Sequence, residues 1–492
     1  MNTVKQWDRI ELTFNSTIDK KHFINSEITA IITTQNEEFE VSGFYDDNGV
    51  FIVRFMPSKV GVYNYVIKSN VAELNGITGH FECIINDNEN IKGVVRVDET
   101  YHFKFDNNEP YYPFGTTAYV WNYQLPEIQN QTIETLSKSP FNKIRMCVFP
   151  KHYTYNFKEP EEFPFHGNIK DGFDFDTFNV SFFRKLEQQI EKLRQLKIEA
   201  DIIIFHPYDR WGFSKMDEKV DFRYVKYLVS RLSSFSNVWW SLANEYDLLV
   251  HKSMEFWDKV VDIIASQDPY HHLISNHNWH DPFRYEHYTG TKHWYDHTNP
   301  KITHASIQHH DMWFIPFWRE QFKKPIMIDE CRYEGNVDLG WGNINAEAMT
   351  DLFWSILCAG GYATHGDSFL SEDDIIWWSH GGVLKGQSAA RIAFLRQIIE
   401  EGPVKRLTPI RADGHWDTVI GHVNSDYYLM YFWRNSQPGF KYMTMLDEHH
   451  QYKVEIIDTW NMTIETYPEV VKKGDKVQLQ SKQKIALRVT KI

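Results

Sequence analysis

Up to about residue 85 the chain alternates apolar and polar positions in short runs broken by turn residues. Glu11-Leu12-Thr13-Phe14, Ile28-Thr29-Ala30-Ile31-Ile32 and Phe51-Ile52-Val53-Arg54-Phe55 are such runs. A period of two predicts strands with one buried face. Asp47-Asn48-Gly49 predicts a hairpin turn between two of them, because these residue types accept positive φ. The polar stretch Asn86-Asp87-Asn88-Glu89-Asn90 closes the region, so a small β-sandwich is expected over residues 1–92.

From about residue 100 the pattern changes to short apolar runs alternating with segments of 3–4 spacing. Strands are predicted at Phe114–Trp121, Asn142–Phe149, Ala200–Phe205, Val238–Ala243, Leu273–Asn276, Ile302–Gln308, Ile326–Asp329 and Tyr362–His365. Helices are predicted at Pro126–Lys138, Phe182–Leu196, Phe222–Leu232, Phe256–Ala265, Ala346–Leu357 and Ala389–Glu400. Eight strands in that alternation fit an α/β fold, a (β/α)8 TIM barrel spanning residues 93–403. A doubly wound open sheet is the alternative. It usually carries a glycine-rich phosphate turn after its first strand, and Phe114-Gly115-Thr116-Thr117 is not one. Beyond Glu401-Gly402-Pro403 strand texture returns at Tyr427–Phe432, Tyr452–Ile457 and Ile485–Val489, predicting a C-terminal β-sandwich domain over 404–492. No internal repeat is visible.

Composition narrows the class. The length of 492 residues exceeds one compact core. Hydrophobic residues at 42% and charged residues at 24% describe an ordinary globular protein. The formal charge of −14 argues against an electrostatic nucleic-acid binder, which needs a basic face. Cys83, Cys147, Cys331 and Cys358 have no C-x-x-C spacing, which fits free thiols in a reducing compartment. Neither an apolar leader core at the N-terminus nor a bilayer-spanning segment is visible, so a cytoplasmic protein without a membrane partner is expected. The 23 histidines include no His-Glu-x-x-His, and His309-His310 alone make no metal site, so no metal or cofactor is expected.

Candidate chemistry lies at the strand ends. Val238-Trp239-Trp240-Ser241-Leu242-Ala243 runs into Asn244-Glu245, and Pro325-Ile326-Met327-Ile328-Asp329 runs into Glu330. A parallel barrel keeps its active site at the C-terminal ends of its strands. Two carboxylates there, one as acid/base and one as nucleophile, are the minimum for glycoside hydrolysis. Each glutamate alone reads equally as a helix-cap neighbour or a salt-bridge partner. Two of them in barrel register favour catalysis. The aromatic content, 16% with 17 Trp and 26 Tyr, is mostly core but also suits sugar stacking.

Asn244-Glu245 after the fourth strand and Glu330 after the seventh resemble the clan A glycoside hydrolases, a retaining (β/α)8 group. Asn142-Lys143-Ile144-Arg145-Met146-Cys147-Val148-Phe149-Pro150, Phe205-His206-Pro207-Tyr208-Asp209-Arg210-Trp211-Gly212-Phe213 and Trp239 through Asp247 resemble, more specifically, the apiosidase-like glycosidases. Gly43-Phe44-Tyr45-Asp46 and Arg54-Phe55-Met56-Pro57 resemble the N-terminal domain of unknown function that this family carries. The resemblance implies Glu245 as acid/base, Glu330 as nucleophile, Asn244 as the partner of the sugar 2-hydroxyl and Arg145 as the cation that keeps Glu330 ionised. Arg145 also reads as one half of a structural ion pair.

Further candidates flank this pair. His206 ends the third strand and is either a hydroxyl donor or a buried cap. Tyr208, Asp209, Arg210 and Trp211 form a loop that either positions substrate or locks itself through Asp209 and Arg210. Gln308, His309 and His310 end the sixth strand, where the clan often places a tyrosine bonded to the nucleophile; this chain departs from that pattern. His365 and Asp367, at the eighth strand's end, either grip hydroxyls or cap the next loop. Trp377 and Trp378 are candidates for a stacking platform, with one of the two expected in the core. Glu372-Asp373-Asp374 reads as a solvated loop face. The expected partner is an oligosaccharide or glycoside. A non-catalytic carbohydrate-binding protein on the same scaffold is the alternative, and homo-oligomerisation, sugar and linkage are left open.

Overall fold

The computed structural model describes residues 2–18, 24–279, 295–402, 406–410 and 418–492. Eight parallel strands form its central sheet: Phe114–Thr117, Lys143–Cys147, Glu199–Phe205, Val238–Ala243, Ile274–Ser275, Ala305–Gln308, Ile326–Glu330 and Tyr362–His365. The first strand pairs with both the second and the eighth. A single parallel bridge from His277 to Ser306 links the fifth strand's end to the sixth. The sheet is therefore a nearly closed TIM barrel. Glu199–Phe205 and Val238–Ala243 are buried at every position, as expected where barrel interior and helices cover both faces.

The expected helices form at Pro126–Ser137, Val180–Gln195, Glu218–Leu232, Met254–Gln267, Ala346–Cys358 and Ser388–Glu401. The first strand ends at Thr117 rather than Trp121, because the chain turns into a short 3-10 helix at Trp121–Tyr123. The sequence pattern also missed the helix Ile315–Phe322, only eight residues or little more than two turns, and the hairpin Phe165–Asn168 with Gly172–Phe178.

Two antiparallel-rich sheets make the N-terminal sandwich, and Ile32, Val53 and Phe81 meet in its core. The Asp47-Asn48-Gly49 turn has φ of 70°, 50° and 77° and joins Phe44–Tyr45 to Val50–Phe55. A buried ion-pair cluster docks this sandwich on the barrel. Glu187 pairs with Arg54 at 2.8 Å and with Arg231 at 2.5 Å, and Arg231 reaches Asp46 at 2.8 Å. At the other end a six-stranded antiparallel sheet packs on the helix Ala346–Cys358, with Tyr431 stacked on Trp354 at 5.6 Å and bonded to Asp351. The predicted junction at residues 403 and 404 lies outside the described residues.

The barrel interior is an ordered column. A meander of Val95–Asp98, His102–Phe105 and Pro110–Tyr111 closes its floor, where Phe103 and Tyr111 pack on Trp239 at 5.3 and 6.1 Å. Above them Trp239 donates to Glu199 (2.9 Å), and Lys143 pairs with Asp201 (2.6 Å) and Asp329 (2.8 Å). Arg145 forms the next layer. Most barrels fill this space with branched aliphatic side chains; here charges fill it and support the mouth.

Candidate active site

Two local backbone features turn consecutive residues toward the mouth. Strict alternation would send Asp329 and Glu330 to opposite faces of the seventh strand. A bulge against the sixth strand, where Ile307 pairs with Ile328 but Gln308 pairs with Glu330, breaks that alternation. Asp329 can thus pair with Lys143 inside the barrel while Glu330 faces the mouth. At the fourth strand's end Glu245 adopts φ 53° and ψ 55°, a left-handed conformation uncommon outside glycine. Its N–H donates to His277 Nδ1 (3.3 Å) and the N–H of Asn244 donates to the Phe205 carbonyl (3.0 Å), so the turn is fixed on both sides.

The two glutamates share one partner. With its amide nitrogen turned toward them, Gln308 donates to Glu245 Oε1 (3.0 Å) and to Glu330 Oε2 (3.3 Å). One nitrogen at those distances holds the two oxygens no more than 6.3 Å apart (3.0 plus 3.3). Each glutamate also accepts from a tyrosine of its own: Tyr208 donates to Glu245 Oε2, and Tyr119 donates to Glu330 Oε1. Arg145 lies 3.6 Å from the same Oε1 and donates to Tyr119 Oη (3.2 Å) and Asn244 Oδ1 (3.0 Å).

Electrostatics separate the pair. Burial pushes the Glu245 carboxyl up to about 8, with the charge of Glu330 adding to the rise and Lys151 and Tyr208 opposing it. Burial and the neighbouring carboxylates raise both tyrosine hydroxyls, so they stay protonated donors. Deeper down, burial alone would raise Asp329, but Lys143 and Arg145 beside it hold it far below the usual carboxylate range.

The remaining candidates divide. Trp378 belongs to the mouth, edge-on to Tyr119 at 5.8 Å and against Trp341 at 4.8 Å. Trp377 is core, its indole N–H donating to Thr116 (2.9 Å). His365 is also turned outward between sheet and helices, stacked on Phe141 at 4.7 Å, so it does not grip substrate at the mouth. Asp367 accepts from the N–H groups of Phe369, Lys385 and Gly386 and caps its loop. His309 packs its ring on Phe314 and Trp318, and its N–H donates to the Glu330 carbonyl (3.0 Å). His206 bonds the Phe149 carbonyl through Nε2 (3.1 Å), and burial with the Lys151 charge lowers it to about 4. The 208–211 loop is locked, though not by an Asp209–Arg210 pair. Asp209 instead accepts from the N–H groups of Trp211, Gly212 and Ser214, and Arg210 pairs with Glu159.

Sequence reasoning missed Tyr119, Lys151 and the Lys143–Asp201–Asp329 layer. Tyr119 comes from the loop after the first strand and makes the kind of bond to Glu330 that the clan often gives to a tyrosine after the sixth. Its position two residues beyond Thr117, at the barrel mouth, was the available signal. Among the described residues no three His, Cys, Asp or Glu side chains converge as a metal cluster, and no helix is long and apolar enough to cross a membrane. The four cysteines are buried free thiols.

A nearly closed TIM barrel with paired glutamates at its mouth defines a glycosidase class, and comparison with known proteins agrees. Residues 98–404 match the family model described as "Apiosidase-like, catalytic domain". Residues 3–70 and 416–490 match two domains of unknown function, DUF5060 and DUF5605. A "putative glycoside hydrolase" from Bacteroides vulgatus ATCC 8482 is 35% identical, with 100% of both chains covered and a TM-score of 0.92. A glycoside hydrolase family 5 structure from the same organism shares the fold at 16% identity, covering 81% of this chain and 94% of that one, TM-score 0.61. A further glycoside hydrolase does so at 14% identity, covering 81% and 97%, TM-score 0.60. No curated protein matches the chain. The chain belongs to the apiosidase-like family, and it is a glycosidase.

Proposed function

We propose that the protein hydrolyses O-glycosidic bonds of oligosaccharides or glycosides with retention of configuration, through a double displacement on Glu330 assisted by Glu245. The observation that carries this reading is the shared Gln308 nitrogen. It keeps the facing oxygens of the two carboxyls within 6.3 Å of each other (3.0 plus 3.3), which supports the short gap of about 5 Å that a retaining pair needs. Tyr119 and Arg145 hold Glu330 Oε1, which leaves Oε2, the oxygen on the Glu245 side, to attack the anomeric carbon.

In the first step Glu330 bonds to that carbon, the glycosidic C–O bond breaks, and the Glu245 proton passes to the leaving oxygen. Esterification removes the charge of Glu330, which lets Glu245 ionise more readily. In the second step Glu245 takes a proton from water, the water oxygen bonds to the anomeric carbon, and the ester breaks. Asn244 accepts from Arg145 through Oδ1, so its amide nitrogen is the group presented to a sugar 2-hydroxyl. Such a contact strengthens as the oxocarbenium ion develops. His206, Trp378 and the loop bearing Tyr208 complete the sugar pocket in this reading.

The three matched stretches support a division into a sandwich to residue 92, a barrel to 403 and a C-terminal β-domain. Four buried thiols fit a reducing cytoplasm and therefore short, imported substrates. The test is hydrolysis of a broad panel of aryl glycosides and plant oligosaccharides by wild type and Glu330→Gln side by side. Turnover by wild type with a loss of several orders of magnitude in the variant is expected. Equal turnover by both would rule out Glu330 as the nucleophile.

A further inference from the structure

The two glutamates and their tyrosines leave one buried cation without a role. Lys151 follows the second barrel strand and is 4% exposed. Its carbonyl accepts from the Asn156 amide, which is itself held by His380 (2.8 Å). The next residue, His152, donates its N–H to the Tyr208 carbonyl (2.8 Å), so the loop carrying Lys151 is tied to the loop carrying Tyr208. The ammonium lies over four rings, with centroids at 3.9 Å for Tyr119, 4.2 Å for Tyr208, 4.6 Å for Trp378 and 5.7 Å for Tyr153.

Two of those rings belong to the tyrosines that hold the glutamates, one each. Lys151 Nζ therefore lies beside both of the tyrosines that hold the two glutamates. Among the described residues it makes no hydrogen bond and no ion pair. Ring faces attract an ammonium through their quadrupole but take up none of its N–H donors as a carbonyl or hydroxyl oxygen does. A buried charge with unused donors is unfavourable unless something completes it.

Resting on the two-glutamate reading, we propose that Lys151 is a substrate-binding residue whose Nζ donates to a hydroxyl of the sugar unit seated between Glu245 and Glu330. A neutral hydroxyl suits the site better than a sugar carboxylate. Lys143 and Arg145 already face Asp201 and Asp329, and the Glu245 and Glu330 carboxyls are the acidic neighbours of Lys151. A second anion would be buried without a counter-charge.

The test takes the neutral aryl glycoside that wild type cleaves fastest, its monodeoxy analogues and the matching uronide. Wild type, Lys151→Met and Lys151→Gln are compared, with melting temperatures to verify folding. Lys151→Met should lower kcat/KM on the parent glycoside by about 10- to 100-fold, the loss of a hydrogen bond from a charged donor. One monodeoxy analogue should reduce wild type by a similar factor and Lys151→Met hardly at all, because the same bond is already missing. Lys151→Gln, which keeps a donor, should recover part of the loss. An equal loss on every analogue, or no loss, would overturn the assignment. So would a wild-type preference for the uronide that vanishes in Lys151→Met, since a carboxylate would then sit on Nζ. Glu330→Gln is assayed alongside. Full activity there refutes the two-glutamate reading itself, whatever Lys151 does.

Discussion

Tyr119 and Glu330 stand 211 positions apart in the chain and are joined by a hydrogen bond across the barrel mouth. The hydroxyl also touches Asn244 Oδ1 (3.2 Å) and accepts from Arg145 (3.2 Å), so it connects the proposed nucleophile with Asn244 and the buried cation. Tyr119→Phe should lower kcat by about 10- to 100-fold, the value of one hydrogen bond to a charged group. The ring still packs on Trp378, so the melting temperature should stay within a few degrees. Steady-state kinetics on the best panel substrate, with a thermal melt, checks both.

With Glu245 as the proposed acid, its raised carboxyl should set the alkaline limit of activity. Burial and the Glu330 charge keep it protonated up to about pH 8, and donation to the leaving oxygen needs that proton. Activity should therefore fall as pH rises through about 8. Glu330→Gln removes the negative neighbour, so the Glu245 carboxyl should titrate lower in that variant. Carbon-13 NMR of labelled glutamate follows the shift directly. An unchanged titration would mean that burial alone raises Glu245.

The charged layer below the site makes a stability prediction. Lys143 is fully buried between Asp201 and Asp329. Lys143→Met leaves two carboxylates beside Arg145 alone and should destabilise the barrel by about 3–5 kcal/mol. Urea unfolding monitored by tryptophan fluorescence measures it. Activity of any folded fraction should also fall, because Arg145 rests on the same two aspartates.

Glu199 gives stability its own pH dependence. Burial raises its carboxyl to about 8, opposed by the hydrogen bond from Trp239. The folded state keeps this proton while the unfolded chain sheds it above its ordinary value of 4.5. Stability contributed by the group is thus full below about pH 4.5 and declines until about pH 8. One proton corresponds to a slope of about 1.4 kcal/mol per pH unit. Glu199→Gln keeps an oxygen for Trp239 and cannot ionise. Its melting temperature should decline less than that of wild type between pH 5 and pH 8.

Much of this arrangement was legible in the chain, and the residues explain why the rest was not. The barrel strands were visible because a run such as Val238–Ala243 is apolar but for Ser241 and stops at a polar pair, Asn244-Glu245. Helix Ile315–Phe322 offers only eight residues, too few for its period to stand out. Tyr119 lies inside the apolar stretch Ala118-Tyr119-Val120-Trp121, where a hydroxyl carries no local mark of its partner. The bulge that lets Asp329 and Glu330 serve different layers depends on pairing with Ile307 and Gln308, a neighbour in space rather than in sequence. Lys151 carries no local mark of its surroundings, because most of the rings around it come from segments far apart in the chain.

Stereochemistry tests the two-glutamate double displacement most directly. Proton NMR of the sugar released in the first minutes, before mutarotation, reports whether the anomeric configuration of the substrate survives. Retention is predicted, because one Gln308 nitrogen bonds both carboxylates and so favours the short gap of a retaining pair. Release of the opposite anomer would contradict the account, since water rather than Glu330 would then be the attacking group.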